Sequence, residues 1–165
     1  MPLAEADLRR KAVLWLDKKY SGRQFLHFMS FHEIGMTLTS YIRRRFHGED
    51  LSRIPNFARL AIRPDLVGIV AHGSGQLGWV IGECKSDKLV NSRDLVVAKN
   101  YAEVASAYEG YLFFYGRLTS EAITKIKNGE HMFKGSNEYG DRVNKRLLLM
   151  EYLVKGDRFR RYALR

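Results

Sequence analysis

The order of the apolar segments constrains the fold of this chain most strongly. Three short runs rich in Val, Ile and Leu follow one another at residues 57–62, 65–72 and 77–85, and a fourth apolar run lies at 111–116. Such runs predict β-strands, and the four-residue turn between the second and third predicts an antiparallel hairpin. Because the segment 93–109 has helical spacing, it implies a crossover with parallel pairing in the sheet. The order therefore predicts an α/β fold with a small mixed β-sheet, a three-stranded meander plus a fourth strand, flanked by helices.

The segments outside these strands also have helical or ambiguous patterns. Apolar spacing predicts helices at 4–20 and 31–46, and Gly110 fits the residue that follows the end of the helix at 93–109. Residues 23–30 are ambiguous. The stretch that begins at Gly129 is rich in polar residues and predicts a mobile loop.

The organisation along the chain indicates a single domain over residues 1–165. The sequence has no linker, repeat or low-complexity tract that would divide it. We expect a core at about 31–116, an N-terminal helix at 4–20 and a basic C-terminal extension at 130–165. For the end of that extension two alternatives stay open, a helix that stops at Gly156 or two strands on either side of it.

The composition limits the partners and the compartment. Lys and Arg number 28 against 18 acids, for a net charge of +10, which favours an anionic partner such as nucleic acid or an acidic membrane surface. No apolar run approaches the roughly 18 residues that cross a bilayer, and the N-terminus has no apolar signal-peptide core. The single cysteine permits no internal disulfide, so we expect a cytoplasmic protein that does not span a membrane.

A carboxylate and an ammonium follow the apolar part of the third strand. Side chains alternate along a strand, so Glu83 and Lys85 share one face while the thiol of Cys84 points to the other face and into the core. The tight hairpin turn places Asp65, at the start of the second strand, opposite residue 84. A register shift of one residue would place it opposite Glu83 or Lys85. Two carboxylates and a lysine can therefore converge at one edge of the sheet.

This trio has a specific chemical use. Two carboxylates supply the hard oxygen ligands that Mg²⁺ prefers, together with several waters. A bound metal ion polarises a phosphate oxygen and acidifies a water, and a lysine can orient that water or stabilise the charge of the transition state. The alternative interpretation is a surface ion pair between Glu83 and Lys85 at the end of a strand.

At this point the sequence resembles the PD-(D/E)XK nuclease superfamily. Pro64-Asp65 matches the "PD" element and Glu83-Cys84-Lys85 matches the "(D/E)XK" element, with Asp65 and Glu83 separated by 18 positions. The core of that family is a helix, a three-stranded meander, a helix and a fourth strand, which is the order predicted for about half of this chain. The resemblance implies a restriction-endonuclease-like fold, and the Glu-Cys-Lys form looks like that of the archaeal Holliday-junction resolvases.

The resemblance also implies an activity and its residues. It implies a deoxyribonuclease that uses Mg²⁺ or Mn²⁺ to hydrolyse DNA, an endonuclease of the structure-specific, restriction or repair and recombination type, which could act as a homodimer. Asp65 and Glu83 would bind the metal ion together with the backbone carbonyl of Cys84, and Lys85 would be catalytic. The family often adds an acid on the helix before the meander. Glu33 fits that place but equally fits a helix-capping box with Ser30, and Glu5 is the weaker alternative.

Basic residues outside the motif are candidate nucleic-acid contacts. Lys99 lies on the helix after the motif, where the family often places a phosphate contact, although a solvated helix face explains it as well. The other candidates are Arg43, Arg44, Arg45, Arg158, Arg160 and Arg161. Two further functions stay open: a non-catalytic or partner-dependent nucleic-acid-binding module with the same fold, and a basic protein that docks on an acidic protein or membrane surface.

Overall fold

A computed structural model describes residues 3–20 and 62–164 with their side chains and residues 24–30 by their backbone. The predicted helix at 31–46 and nearly all of the predicted strand at 57–62 lie outside the described residues. Ile62, the last residue of that strand, is buried but belongs to no strand.

The described chain contains three helices and eight strands. The helices are α1 (Glu5–Lys19), α2 (Ser92–Val104) and α3 (Ser120–Lys127). The strands are β1 (Gln24–Ser30), β2 (Leu66–Ala71), β3 (Leu77–Val90), β4 (Glu109–Leu118), β5 (Met132–Ser136), β6 (Arg142–Arg146), β7 (Leu148–Leu153) and β8 (Arg158–Arg161). Within this described part of the chain, no helix has the length and apolar character needed to cross a bilayer.

The strands form one mixed sheet and one separate hairpin. The large sheet has the order β1-β2-β3-β4-β7-β8, and β5 pairs with β6 alone. The β1–β2, β2–β3 and β7–β8 pairs are antiparallel, whereas β3–β4 and β4–β7 are parallel. The predicted α/β class, the β2–β3 hairpin and the parallel pairing after the crossover helix are therefore confirmed. Within the described residues the sheet has six strands: β2, β3 and β4 are three of the four expected ones, β7 and β8 extend the sheet, and the ambiguous segment before Phe31 forms β1.

Each face of the sheet is covered by its own hydrophobic cluster. Helix α1 covers one face, with buried contacts among Leu8, Leu16, Tyr20, Val80, Cys84, Phe113 and Met150. Helices α2 and α3 cover the other face, with contacts among Leu95, Ala98, Leu112, Phe114, Ile126 and Leu149. A fully buried Leu or Phe side chain contributes about 1.5–3 kcal/mol relative to an exposed one, so both faces hold the sheet in place. The strand alternation puts Cys84 on the α1 face, so Glu83 and Lys85 lie on the α2 face.

Helix α2 ends earlier than the sequence predicts. Its N-terminus is fixed by a capping box between Asn91 and Asp94, and its last residue is Val104. Gly110 is not the residue that follows this helix but part of β4. A Cβ atom at Gly110 would lie 2.7 Å from the Cβ of Ala102, so the glycine is required by the close approach of strand and helix rather than by the helix end.

The C-terminal extension is more ordered than the predicted loop. Strands β5 and β6 form an antiparallel hairpin within it, so a polar loop over 129–142 is the wrong interpretation for Met132–Ser136 and for Arg142. Of the two alternatives for the last segment, the pair of strands is confirmed: β7 and β8 are antiparallel. Gly156, at φ 89°, lies in the connection between them and supplies a backbone conformation that other residues rarely adopt.

Candidate active site

The β2–β3 hairpin brings Asp65 and Glu83 into contact. Its last pair is Leu66 with Gly82, and one step further the same register sets Asp65 opposite Glu83. The backbone N–H of Asp65 donates to Oε1 of Glu83 at 3.0 Å, and the backbone N–H of Cys84 donates to Oδ2 of Asp65 at 2.8 Å. Each carboxylate is thus held by the backbone of the opposite strand. Both are fixed in position, and Asp65 is only 5% exposed.

The proximity of the two carboxylates changes the chemistry of Glu83. Burial and then the neighbouring charge of Asp65 raise the pKa of Glu83 from 4.5 to about 9. Two carboxylates in contact cannot both ionise easily in a partly desolvated site. At neutral pH Glu83 therefore holds a proton unless a cation takes the proton's place.

A cleft of about 300 Å³ opens beside this pair. Its charged lining contains four acids and three bases that come from α1, the segment before β2, β3 and the start of α2. These residues are Glu5, Asp65, Glu83, Asp94, Arg63, Lys85 and Arg93. The cleft therefore combines carboxylates at its base with cations that could contact an anionic substrate.

Lys85 lies in the cleft but is directed toward the start of α2. Its Nζ is 3.5 Å from Asp87 and 3.7 Å from Asp94. Burial lowers the pKa of Lys85, but the carboxylates of Asp94, Asp87 and Glu5 outweigh that effect and raise it, so the ammonium is charged at neutral pH. Among the described residues, the ion pair between Glu83 and Lys85 that the sequence allowed is not formed.

Helix α1 supplies a third carboxylate to the cleft. Glu5 lines it, and the charge of Glu5 contributes to the raised pKa of both Glu83 and Lys85. Its side chain also pairs with Arg9, 3.6 Å away. Glu5 is the weaker candidate on sequence alone because α1 lies outside the matching core, whereas the packing of α1 on the sheet brings Glu5 to the cleft. Glu33 lies outside the described residues.

The donor set can be tested against a metal ion. Within the described residues no three His, Cys, Asp or Glu side chains approach closely enough to hold one. Mg²⁺ needs fewer protein ligands than that, because it commonly binds through one or two carboxylates and keeps several waters. Asp65 and Glu83 fit this requirement, and the raised pKa of Glu83 indicates a pair of carboxylates that a divalent cation would stabilise. The backbone carbonyl of Cys84 stays a predicted ligand.

One side of α2 faces the cleft. Arg93, Val97 and Tyr101 recur at intervals of four residues and all line it. Lys99 falls on another side of this helix, and the structure does not bring it into the cleft. Sequence reasoning missed Arg63 and Arg93. Their positions in the sequence could have indicated a place in the cleft, since Arg63 directly precedes the Pro-Asp element and Arg93 lies one helical turn before Val97.

The remaining predicted nucleic-acid contacts are elsewhere or undescribed. Arg43, Arg44 and Arg45 lie outside the described residues. Arg158, Arg160 and Arg161 form the exposed strand β8 and do not line the cleft. The guanidinium of Arg160 is paired with Glu151 at 3.0 Å.

Comparisons with protein-family models, with curated proteins and with solved structures find no match for this chain. The geometry and the chemistry of the cleft are therefore the features that bear on its function.

Proposed function

We propose that this protein is a metal-dependent nuclease that hydrolyses phosphodiester bonds of DNA in the cleft at the end of the β2–β3 hairpin. The observation that carries the proposal is the reciprocal contact of Asp65 and Glu83 across the hairpin, with Lys85 in the same cleft. Metal-dependent phosphodiester hydrolysis uses these groups together, because a carboxylate pair binds Mg²⁺ or Mn²⁺ and a cation stabilises the phosphoryl charge.

We further propose that the sheet is the core of a restriction-endonuclease-like fold. The order of elements supports this: α1, then the antiparallel strands β1, β2 and β3, then α2 and the parallel strand β4. In this interpretation α1, rather than the segment at 31–46, is the helix that precedes the meander. Glu5 then takes the place of the additional acid, for which Glu33 was the first candidate.

Five of the charged groups that line the cleft have a role in this reaction. Asp65 and Glu83 would hold the metal ion, which when bound polarises a phosphate oxygen and acidifies a water. Lys85 would orient the attacking water and stabilise the negative charge that develops on the phosphoryl oxygens. Arg63 and Arg93 would bind the phosphates on either side of the scissile bond, because guanidinium groups match phosphate geometry.

The net charge of +10 supports a nucleic-acid substrate. A structure-specific, restriction or repair endonuclease remains the proposed class. A homodimer would bring two clefts to the two strands of a duplex, and sedimentation of the protein with and without DNA would measure that state.

The test is cleavage of single-stranded, duplex, flap and four-way-junction DNA with Mg²⁺ or with chelator. We expect cleavage of at least one substrate only with the metal ion. Asp65→Asn should abolish it and Lys85→Ala should lower the rate steeply, while their matched controls Asp17→Asn and Lys88→Ala, at exposed sites on α1 and β3, keep full activity. Cleavage in excess chelator, or full activity of Asp65→Asn, would refute the proposal.

A second candidate is favoured by one observation. Lys85 is directed toward Asp87 and Asp94 rather than toward the carboxylate pair. A nucleic-acid-binding module that becomes catalytic only with a partner would hold the lysine in this way. If the protein binds DNA but cleaves none of the substrates with Mg²⁺ or Mn²⁺, this second function replaces the first.

A further inference from the structure

A larger cavity lies between the end of α3, the β5–β6 hairpin and the C-terminal segment. It encloses about 650 Å³, and we call it the C-terminal groove. The lining residues that matter here are Lys127, His131, Arg146, Leu149, Arg161 and Tyr162. Its volume lies within the range of cavities that hold nucleotide-sized ligands, roughly 300–1,000 Å³.

The groove concentrates positive charge without neutralising it. Lys127, Arg146 and Arg161 come from α3, β6 and β8 and are all exposed. None of the described residues that line the groove is acidic, and none of these three cations forms an ion pair within the described part of the chain. Three converging cations repel one another, so an anion that enters the groove gains favourable interactions with all of them.

The floor of the groove is suited to a flat, partly apolar group. Leu149 is buried there, and the backbone N–H of Tyr162 donates to the carbonyl of Leu149 at 2.8 Å. The Tyr162 ring meets Phe114 edge to face at 5.9 Å, which holds the aromatic side chain in place. A fixed tyrosine beside apolar carbon is the surface on which nucleobases stack.

A buried histidine adds an unsatisfied polar atom. His131 is 7% exposed, and its Nδ1 has no hydrogen-bond partner among the described residues. Burial and the charge of Arg146 lower the pKa of His131, so its ring is neutral at neutral pH. An unpaired buried polar atom is unfavourable, and the ring that carries it lines the groove.

We propose that the C-terminal groove binds one nucleotide of a single-stranded nucleic acid, with the phosphate between Lys127, Arg146 and Arg161 and the base against Tyr162. A strand fits better than an isolated anion because the groove continues into a second cavity. This adjoining cavity of about 460 Å³ shares Lys127, Arg161 and Tyr162 and adds the Arg160–Glu151 ion pair. This site is separate from the carboxylate cleft, and binding there requires neither the metal ion nor cleavage.

The test is fluorescence anisotropy of labelled oligothymidylate with the full chain, in chelator and over a range of salt concentrations. The double variant Arg146→Ala/Arg161→Ala should lower affinity and reduce the salt slope by up to about 0.7, since the one phosphate contact that it removes contributes about 0.7 on a single strand. The matched control Arg117→Ala/Arg142→Ala removes the same charge from exposed positions on β4 and β6 outside the groove and should leave the slope unchanged. An equal loss of affinity in both double variants would mean that binding depends only on net charge, and it would overturn the proposed site in the groove.

The aromatic contact is tested separately. Tyr162→Leu should weaken oligothymidylate binding by roughly fivefold or more, the loss of one stacked base, whereas Tyr162→Phe should retain it. Melting curves of both variants confirm that they are folded. Equal binding by both variants would overturn the base contact.

Vesicles that contain phosphatidylserine distinguish a lipid ligand. If the groove variants lose vesicle binding but keep oligothymidylate binding, the site recognises a lipid headgroup and the proposal is wrong. Because all these measurements are made in chelator, they succeed or fail independently of cleavage in the cleft.

Discussion

Replacing Glu83 by Gln should stabilise the metal-free protein at neutral and alkaline pH. The pKa of Glu83 is raised from 4.5 to about 9, first by burial and then by the charge of Asp65. The folded protein therefore binds this proton more tightly than the unfolded chain does. The stability that comes from binding this proton is fully present below pH 4.5 and is lost as the pH rises toward 9.

The size of the effect follows from the same shift. Each pH unit within that window costs up to about 1.4 kcal/mol, so by pH 7 the loss is on the order of 3 kcal/mol. Gln has no charge to desolvate, and its Oε1 can still accept the hydrogen bond from the backbone N–H of Asp65. The variant should therefore keep the hydrogen bond and avoid the loss of stability that the wild type suffers as the pH rises.

Urea denaturation in chelator at pH 5 and pH 8 measures this difference. The wild type should lose stability between the two values while Glu83→Gln changes little, and the exposed control Glu138→Gln should follow the wild type. Added Mg²⁺ should then stabilise the wild type at pH 8, by about 2.7 kcal/mol at a hundred times its Kd, and leave Glu83→Gln unchanged. A variant less stable than the wild type at pH 8 in chelator would refute the reasoning.

Three other predictions concern the scaffold around the cleft. Asn91→Ala should cost about 1 kcal/mol in urea denaturation, because the Asn91 side chain accepts from the N–H of Asp94 at 3.1 Å; Asn91→Ser should keep most of that stability, and equal losses would contradict the cap. Tyr111→Phe should cost about 1–3 kcal/mol, because it removes a hydroxyl that accepts from Lys19 at 2.5 Å and donates to Glu109; an unchanged melting temperature would count against this network. The thiol of Cys84 should react with Ellman's reagent only as fast as the protein unfolds, because burial and then the charges of Asp65 and Glu83 raise its pKa; rapid reaction of the native protein would show that the thiol is accessible.

The sequence carried enough information to predict the carboxylate contact within one residue. A short turn and the alternation of a strand limit Asp65 to positions near residue 84, and the structure selects the register that faces it toward Glu83. This contact could be predicted because the turn length of a hairpin fixes which residues of its two strands face each other. The α/β class and the parallel β3–β4 pairing follow from the order of the elements for a similar reason.

Contacts between distant segments could not be predicted in this way. The place of Glu5 in the cleft depends on how α1 packs on the sheet through Leu8 and Leu16, and no spacing in the sequence encodes that contact. The sequence predicts that Gly110 follows the end of a helix, because glycine is common at that position. In the structure a glycine is required there by the close approach of Ala102. Strands β5 and β6 have only five residues each and contain polar side chains, so their composition resembles that of a loop.

The charge balance of the cleft links its fold to its proposed chemistry. Asp94 caps α2 through its side chain and also pairs with Lys85 at 3.7 Å, so the start of the helix sets the position of the lysine. Lys85 is occupied in this way, and Glu83 retains a proton at neutral pH. A proton and a divalent cation would therefore compete for this carboxylate. Metal binding should release a proton and strengthen as the pH rises, which makes loading of the carboxylate pair, rather than the ionisation of Lys85, the step that sets the pH dependence of the cleft.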